Sequence, residues 1–210
     1  MLRKIFPLFL SLIIFIPFFI FNQEEPISEE THYYLKEWIN EDGLLEACLL
    51  EGDSLPPESI PEGFVKVSLE ELHAKGYLTG EEQLQMLIEK GIPPETVRVD
   101  PGRWACSWAY CWKDGGLLKG IAGSKTCTRN REKIKTQSWR TKTTQRGSER
   151  RASQPRIKTG PGEATVSWPL IQASKRNSGY LEIEIEGHHV WRYRSSDSIV
   201  RATYAWDYVE

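Results

Sequence analysis

The chain has 210 residues, 40% hydrophobic and 27% charged. These figures exclude a wholly disordered or fibrous protein and leave enough apolar material for a core. The length admits one domain or two small ones. The formal net charge of −2 conceals an asymmetry: residues 23–100 carry 5 basic and 19 acidic side chains, whereas residues 101–210 carry 20 basic and 10 acidic. A uniform chain is excluded, and the uncharged stretch 5–21 argues against a cytosolic housekeeping enzyme.

Arg3 and Lys4 precede that stretch, which is Ile, Leu and Phe broken only by Pro7, Ser11 and Pro17. A positive segment followed by an apolar run is how a secretory signal begins. At a rise of about 1.5 Å per residue the run makes roughly 25 Å of helix, just short of a ~30 Å hydrocarbon core. Residues 1–22 are therefore predicted to be an N-terminal membrane anchor or a cleaved signal peptide. The segment that follows, Asn22 to Pro26, offers no pair of small residues spaced for a signal peptidase. Either reading keeps Arg3 and Lys4 inside and places the bulk of the chain on the extracytoplasmic face or outside the cell.

Residues 23–100 are predicted to be an acidic region of short helices. Tyr34, Leu35, Trp38 and Ile39 repeat at helical spacing before Asp42-Gly43, and Leu44, Leu45, Cys48 and Leu49 repeat the pattern before Gly52. Three prolines between Ser54 and Gly63 mark a linker. Two capping boxes follow, Ser68 with Glu71 and Thr79 with Glu82, in which each hydroxyl accepts from a free N–H at a helix start. Gly76 and Gly91 end the two helices. A DNA-reading helix pair is excluded by charge, because Glu81, Glu82 and Glu89 against Lys90 would repel phosphates.

Residues 101–210 are predicted to be a basic, tryptophan-rich all-β domain, an antiparallel sandwich or open barrel. Trp104, Trp108 and Trp112 suit one face of a strand, and residues 163–170 suit another. Leu181, Ile183 and Ile185 alternate with Glu182, Glu184 and Glu186, the pattern of a half-buried strand. Gly187 then suggests a hairpin turn into a second strand from His189. Val200, Ala202, Tyr204, Trp206 and Tyr208 line one face of a final strand. Residues 119–158 hold 13 basic and 2 acidic side chains and few apolar ones, consistent with a flexible arm or, over 133–144, a charged edge strand. The fold class expected is α+β: an N-terminal anchor or signal helix, an acidic short-helix region and a C-terminal β-domain.

Four cysteines in an exported chain suggest two disulfides. If the strands around Cys111 and Cys127 pair antiparallel about position 119, those two sulfurs lie opposite one another, which leaves Cys48 with Cys106. A zinc site is disfavoured, because the spacing of Cys106 and Cys111 is loose and no histidine lies between His73 and His188. His188 and His189 would point to opposite faces of a strand, so their rings cannot easily share a ligand. No phosphate-cradling loop or known nucleophile motif is present, and no cofactor or metal is expected.

The expected function is that of an exported, membrane-anchored, non-enzymatic module. It would bind an anionic envelope polymer or a lipid surface through Arg129, Arg131, Lys133, Lys135, Arg140 and Lys142. No nucleic-acid partner is expected, and docking of the acidic region onto the basic one is the intramolecular alternative. A toxin-like or inhibitory effector is the second reading, and an envelope hydrolase using Glu182, Glu184 and Glu186 the third.

Overall fold

The computed structural model describes residues 30–53, 55–130, 132–143, 150–151, 156–159, 162–192 and 198–210. The predicted anchor or signal, residues 1–22, lies outside them. Among the described residues no helix is long and apolar enough to cross a membrane.

Strands dominate. β1 (Thr31–Ile39) and β2 (Leu45–Asp53) form a hairpin, and a 3-10 turn (Pro57–Ser59) leads to β3 (Val65–Val67). Helices α1 (Leu69–Ala74) and α2 (Gly80–Glu89) follow. β4 (Glu95–Asp100), β5 (Arg103–Asp114) and β6 (Leu117–Thr128) make a meander. Then come β7 (Lys133–Thr143), β8 (Arg150–Arg151), β9 (Arg156–Thr159) and β10 (Gly162–Ser174). A single helical turn, α3 (Lys175–Ser178), precedes β11 (Leu181–Arg192) and β12 (Ser198–Val209).

These strands build two antiparallel sheets, one of seven in the order β3-β1-β2-β10-β6-β5-β4 and one of five. The second runs β12-β11-β7-β8, with β9 also pairing β7. One core lies between the sheets and contains Leu50, Ile134, Val166, Trp168, Ile183 and Trp191. The other face of the seven-stranded sheet is covered by helices. Leu72 of α1 packs with Leu35 and Leu49, and Leu84 and Leu87 of α2 pack with Trp108. Trp108, Trp168 and Trp191 are fully buried, so each is core rather than ligand surface.

The expected α+β class with a helical acidic region is overturned. Both capping boxes are present, with Ser68 and Thr79 accepting from the N–H groups of Glu71 and Glu82. Residues 31–39 and 45–53, however, are strands. The whole of β2 from Glu46 to Gly52 is buried, because helices cover one face and the second sheet the other. A strand covered on both faces loses its alternation, and its apolar run then mimics one side of a helix. The seven-stranded sheet thus draws strands from both sides of residue 100.

Two further expectations fail for packing reasons. Gly187 is not a turn, and β11 runs unbroken through it. A Cβ there would stand 2.5 Å from Ser124 Oγ and 2.7 Å from Ser107 Oγ, so the glycine lets the two sheets approach. β7 is neither an arm nor an edge, since it pairs with β11 on one side and with β8 and β9 on the other.

The proposed disulfide register is also corrected. The β5–β6 turn is tight, with Gly115 at φ +59°, so Cys111 sits opposite Gly120 and Cys127 opposite Trp104. Cys48 belongs to the core between the sheets, whereas Cys106 packs beneath α2 on the other face of the seven-stranded sheet. None of the four is bridged to another, and all four are buried. Burial pushes the Cys106 thiol up to about 12 and raises Cys111 and Cys127 as well, which keeps them from forming reactive thiolates. A thiol-alkylating reagent should therefore label none of the four in the folded chain and all four in denaturant. A bridged pair in a non-reducing peptide map would refute this.

Candidate binding face

Burial alternates along β11, with Leu181, Ile183, Ile185, Gly187, His189 and Trp191 inside. The intervening residues form the outer face of the five-stranded sheet, and directly paired residues share a face of an antiparallel sheet. At one end Arg192 pairs with Lys133, Val190 with Lys135 and His188 with Gln137. Lys135 and Gln137 pair in turn with Lys158 and Arg156 of β9. Arg192, Lys133 and Arg156 are exposed and Lys135 is half-buried.

At the other end the same face changes sign. Glu182, Glu184 and Glu186 pair with Tyr208, Trp206 and Tyr204 of β12. These aromatics are about half exposed, and the Trp206 and Tyr208 rings stack with centroids 5.9 Å apart. Glu186 bonds His188 Nε2 at 2.7 Å. A groove of about 220 Å³ bounded by Ile92, Pro93, Trp108, Tyr204 and Trp206 runs beside this edge strand, and the three carboxylates do not line it.

Of the six basic residues singled out, Lys133 and Lys135 lie on this face. Arg129 is exposed at the β6–β7 connection, its N–H donating to Gly102 O. Arg131 lies outside the described residues. Arg140 and Lys142 stand in register with Ile185 and Ile183. Arg156 and Arg192, which complete the basic end, were missed. Carrying the alternation of Glu182, Glu184 and Glu186 through Gly187 would have placed Arg192 on the same face.

The remaining polar clusters are internal. His189 is fully buried, with Nδ1 2.7 Å from Thr126 Oγ1 and Nε2 2.7 Å from Thr203 Oγ1. Thr203 continues to Ser107 at 2.5 Å, and Ser107 to Ser124 at 2.8 Å. Each hydroxyl in this chain can donate once and accept once if the imidazole is neutral. Burial holds it so, lowering the His189 pKa to about 3. As expected, His188 and His189 face opposite ways.

On the helix-covered face, Glu51 Oε1 accepts from the N–H of Gly80 at 2.8 Å and from the Ser167 hydroxyl at 3.1 Å. Burial raises its pKa to about 7, against the opposing effect of those two bonds and of Lys125. Lys125 is itself buried and pairs with Glu81 at 2.7 Å and Glu163 at 2.9 Å, an interior lysine held charged by two carboxylates. Arg103 is buried against Glu132 and also meets Asp100. Lys125–Glu81 and Arg103–Asp100 each join the acidic part of the chain to the basic part. Among the described residues no group of three or more histidine, cysteine or carboxylate side chains could hold a metal.

No family model matches the chain, and no curated protein matches it. Among solved structures, the chain is similar to one described as "Crystal structure of protein from Archaeoglobus fulgidus", at 10% identity and a TM-score of 0.25. That likeness covers 49% of this chain and 93% of that one.

Proposed function

We propose that the protein is a binding module that engages an anionic polymer or lipid surface through the basic end of its outer sheet face. The observation that carries this reading is the placement of Lys133, Lys135, Arg156 and Arg192 in adjacent register on three neighbouring strands. Those rows contain no carboxylate, so the charges add rather than cancel. A sheet holds them at fixed spacing, which suits a repeating anionic ligand. Residues 1–22, as a signal or anchor, would deliver this face to the outside of the membrane.

Binding of the full chain to soluble polyphosphate and to vesicles of anionic lipid, each over a salt series, tests the proposal. With a Debye length of only ~8 Å at physiological ionic strength, affinity should fall steeply as salt rises. Replacing Lys133, Arg156 and Arg192 together with Gln should weaken binding by about tenfold or more, since a good charge contact is worth ~1 kcal/mol or more. All three are surface residues, so the melting temperature should hold. Preference for polyphosphate over vesicles would identify a polymer, and the reverse a membrane. A triple variant that binds both probes like the parent would refute the proposal.

A further inference from the structure

The outer face of the five-stranded sheet is complementary to itself. Along β11 the charge runs from Arg192 at one end to Glu186, Glu184 and Glu182 at the other, and Lys133 and Lys135 of β7 reinforce the basic end. Alongside runs an apolar stripe on the edge strand, with Val200 50%, Tyr204 49%, Trp206 57% and Tyr208 55% exposed. Consider a two-fold axis lying in the plane of the face and perpendicular to the strands. It lays the face on a second copy with strand direction reversed. Arg192 then approaches Glu182 of the second copy, Lys133 and Lys135 approach its acidic end, and the stripe of β12 packs on the same stripe of the copy. Each contact occurs twice, as an isologous interface requires.

We propose that the protein forms a two-fold symmetric dimer through this face. β11 and β12 have 12 residues each, so the face is about 40 Å long and three strands make it roughly 15 Å wide. Two such faces bury on the order of 1,200 Å² in total, the lower end of stable specific interfaces. Aligned packing of twisted sheets suits a flat face of this kind, with the sheets about 10 Å apart. The apolar segment 5–21 is the competing occupant from the same chain. It carries no charge and would leave both the carboxylate row and the basic row unanswered. Dimerisation does not depend on the polymer reading. It uses Arg192 and Lys133 too, so it is measured with no polyanion present, and either proposal can fail while the other stands.

Sedimentation equilibrium of the full chain in a non-ionic detergent is the test. The expected result is a reversible monomer–dimer equilibrium. Arg192→Glu and Glu182→Arg should each weaken it by about tenfold or more, because a reversal puts like charges together twice per dimer. The double reversal should recover most of the lost affinity, since the two ends then exchange signs. Trp206→Arg should leave a monomer, and circular dichroism should show all variants folded. A chain that stays monomeric throughout overturns the proposal. So does a dimer indifferent to both reversals, which would place the contact elsewhere, residues 5–21 included.

Discussion

Gly123→Ala should destabilise the folded chain by about 3 kcal/mol, the upper range for overpacking a tight core. A Cβ at this position would stand 2.1, 2.6 and 2.7 Å from three ring atoms of Trp108. The indole has no room to yield, since it is fully buried beneath α2 and its Nε1 donates to Gln83 Oε1 at 2.9 Å. Urea denaturation should show a lower midpoint with an unchanged slope, the sign of lost stability rather than a changed unfolded state. Gly116→Ala supplies the control, because nothing lies within 4 Å of a Cβ there. Shrinking the obstacle should help, so Gly123→Ala combined with Trp108→Phe should be more stable than the sum of the two single losses. A Gly123→Ala chain as stable as the parent would mean that α2 does not press Trp108 onto β6.

Glu51→Gln should make the protein more stable at neutral pH and reshape its pH dependence. A carboxyl whose pKa is higher in the folded chain than in the unfolded one binds its proton more tightly when folded. Its contribution is therefore present at low pH and lost as pH rises from the ordinary 4.5 towards about 7. Over that window the loss is on the order of 3 kcal/mol. Both hydrogen bonds fall on Oε1, so an amide oxygen can accept them without the cost of burying a charge. His189 works the other way. Its folded pKa of about 3 lies below the ordinary 6.5, so its contribution is complete above pH 6.5 and drains away as pH falls. In the parent chain the two slopes oppose each other between about pH 4.5 and 6.5. Glu51→Gln removes one of them, leaving stability that falls steadily with acidification and exceeds the parent at pH 7 to 8. Urea midpoints measured from pH 5 to 8 decide the matter. Parallel curves for parent and variant would show that Glu51 is not held protonated by its burial.

The sequence announces local structure better than it announces neighbours. The helix starts at Ser68 and Thr79 were legible because a capping box is a contact within four residues. β12 and the first half of β11 were legible because each has one covered and one open face, which preserves period-2 alternation. β1 and β2 were not. Whether Leu35, Cys48 and Leu49 lie on a strand or a helix depends on what covers both faces of the sheet, and that covering comes from α1, α2 and strands more than a hundred residues away. Gly187 misled for a related reason: its small size answers Ser107 and Ser124 on another sheet, not the path of its own backbone. The candidate face was half visible. Lys133 and Lys135 were found from charge density, but Arg156 and Arg192 join them through strand pairing that composition does not reveal.

The pairing of β2 with β10 sets Gly52 against Ala164 and Leu50 against Val166. More than half the chain must be made before the first hairpin can acquire its inner neighbour. Until then Leu49 and Leu50, both fully buried in the finished protein, stand on an open strand edge in an incomplete sheet. Loops of that length are costly to close before their contacts reward them. The architecture therefore favours a chain that closes late, when β10 slides between β2 and β6 and turns two separate hairpins into one continuous sheet.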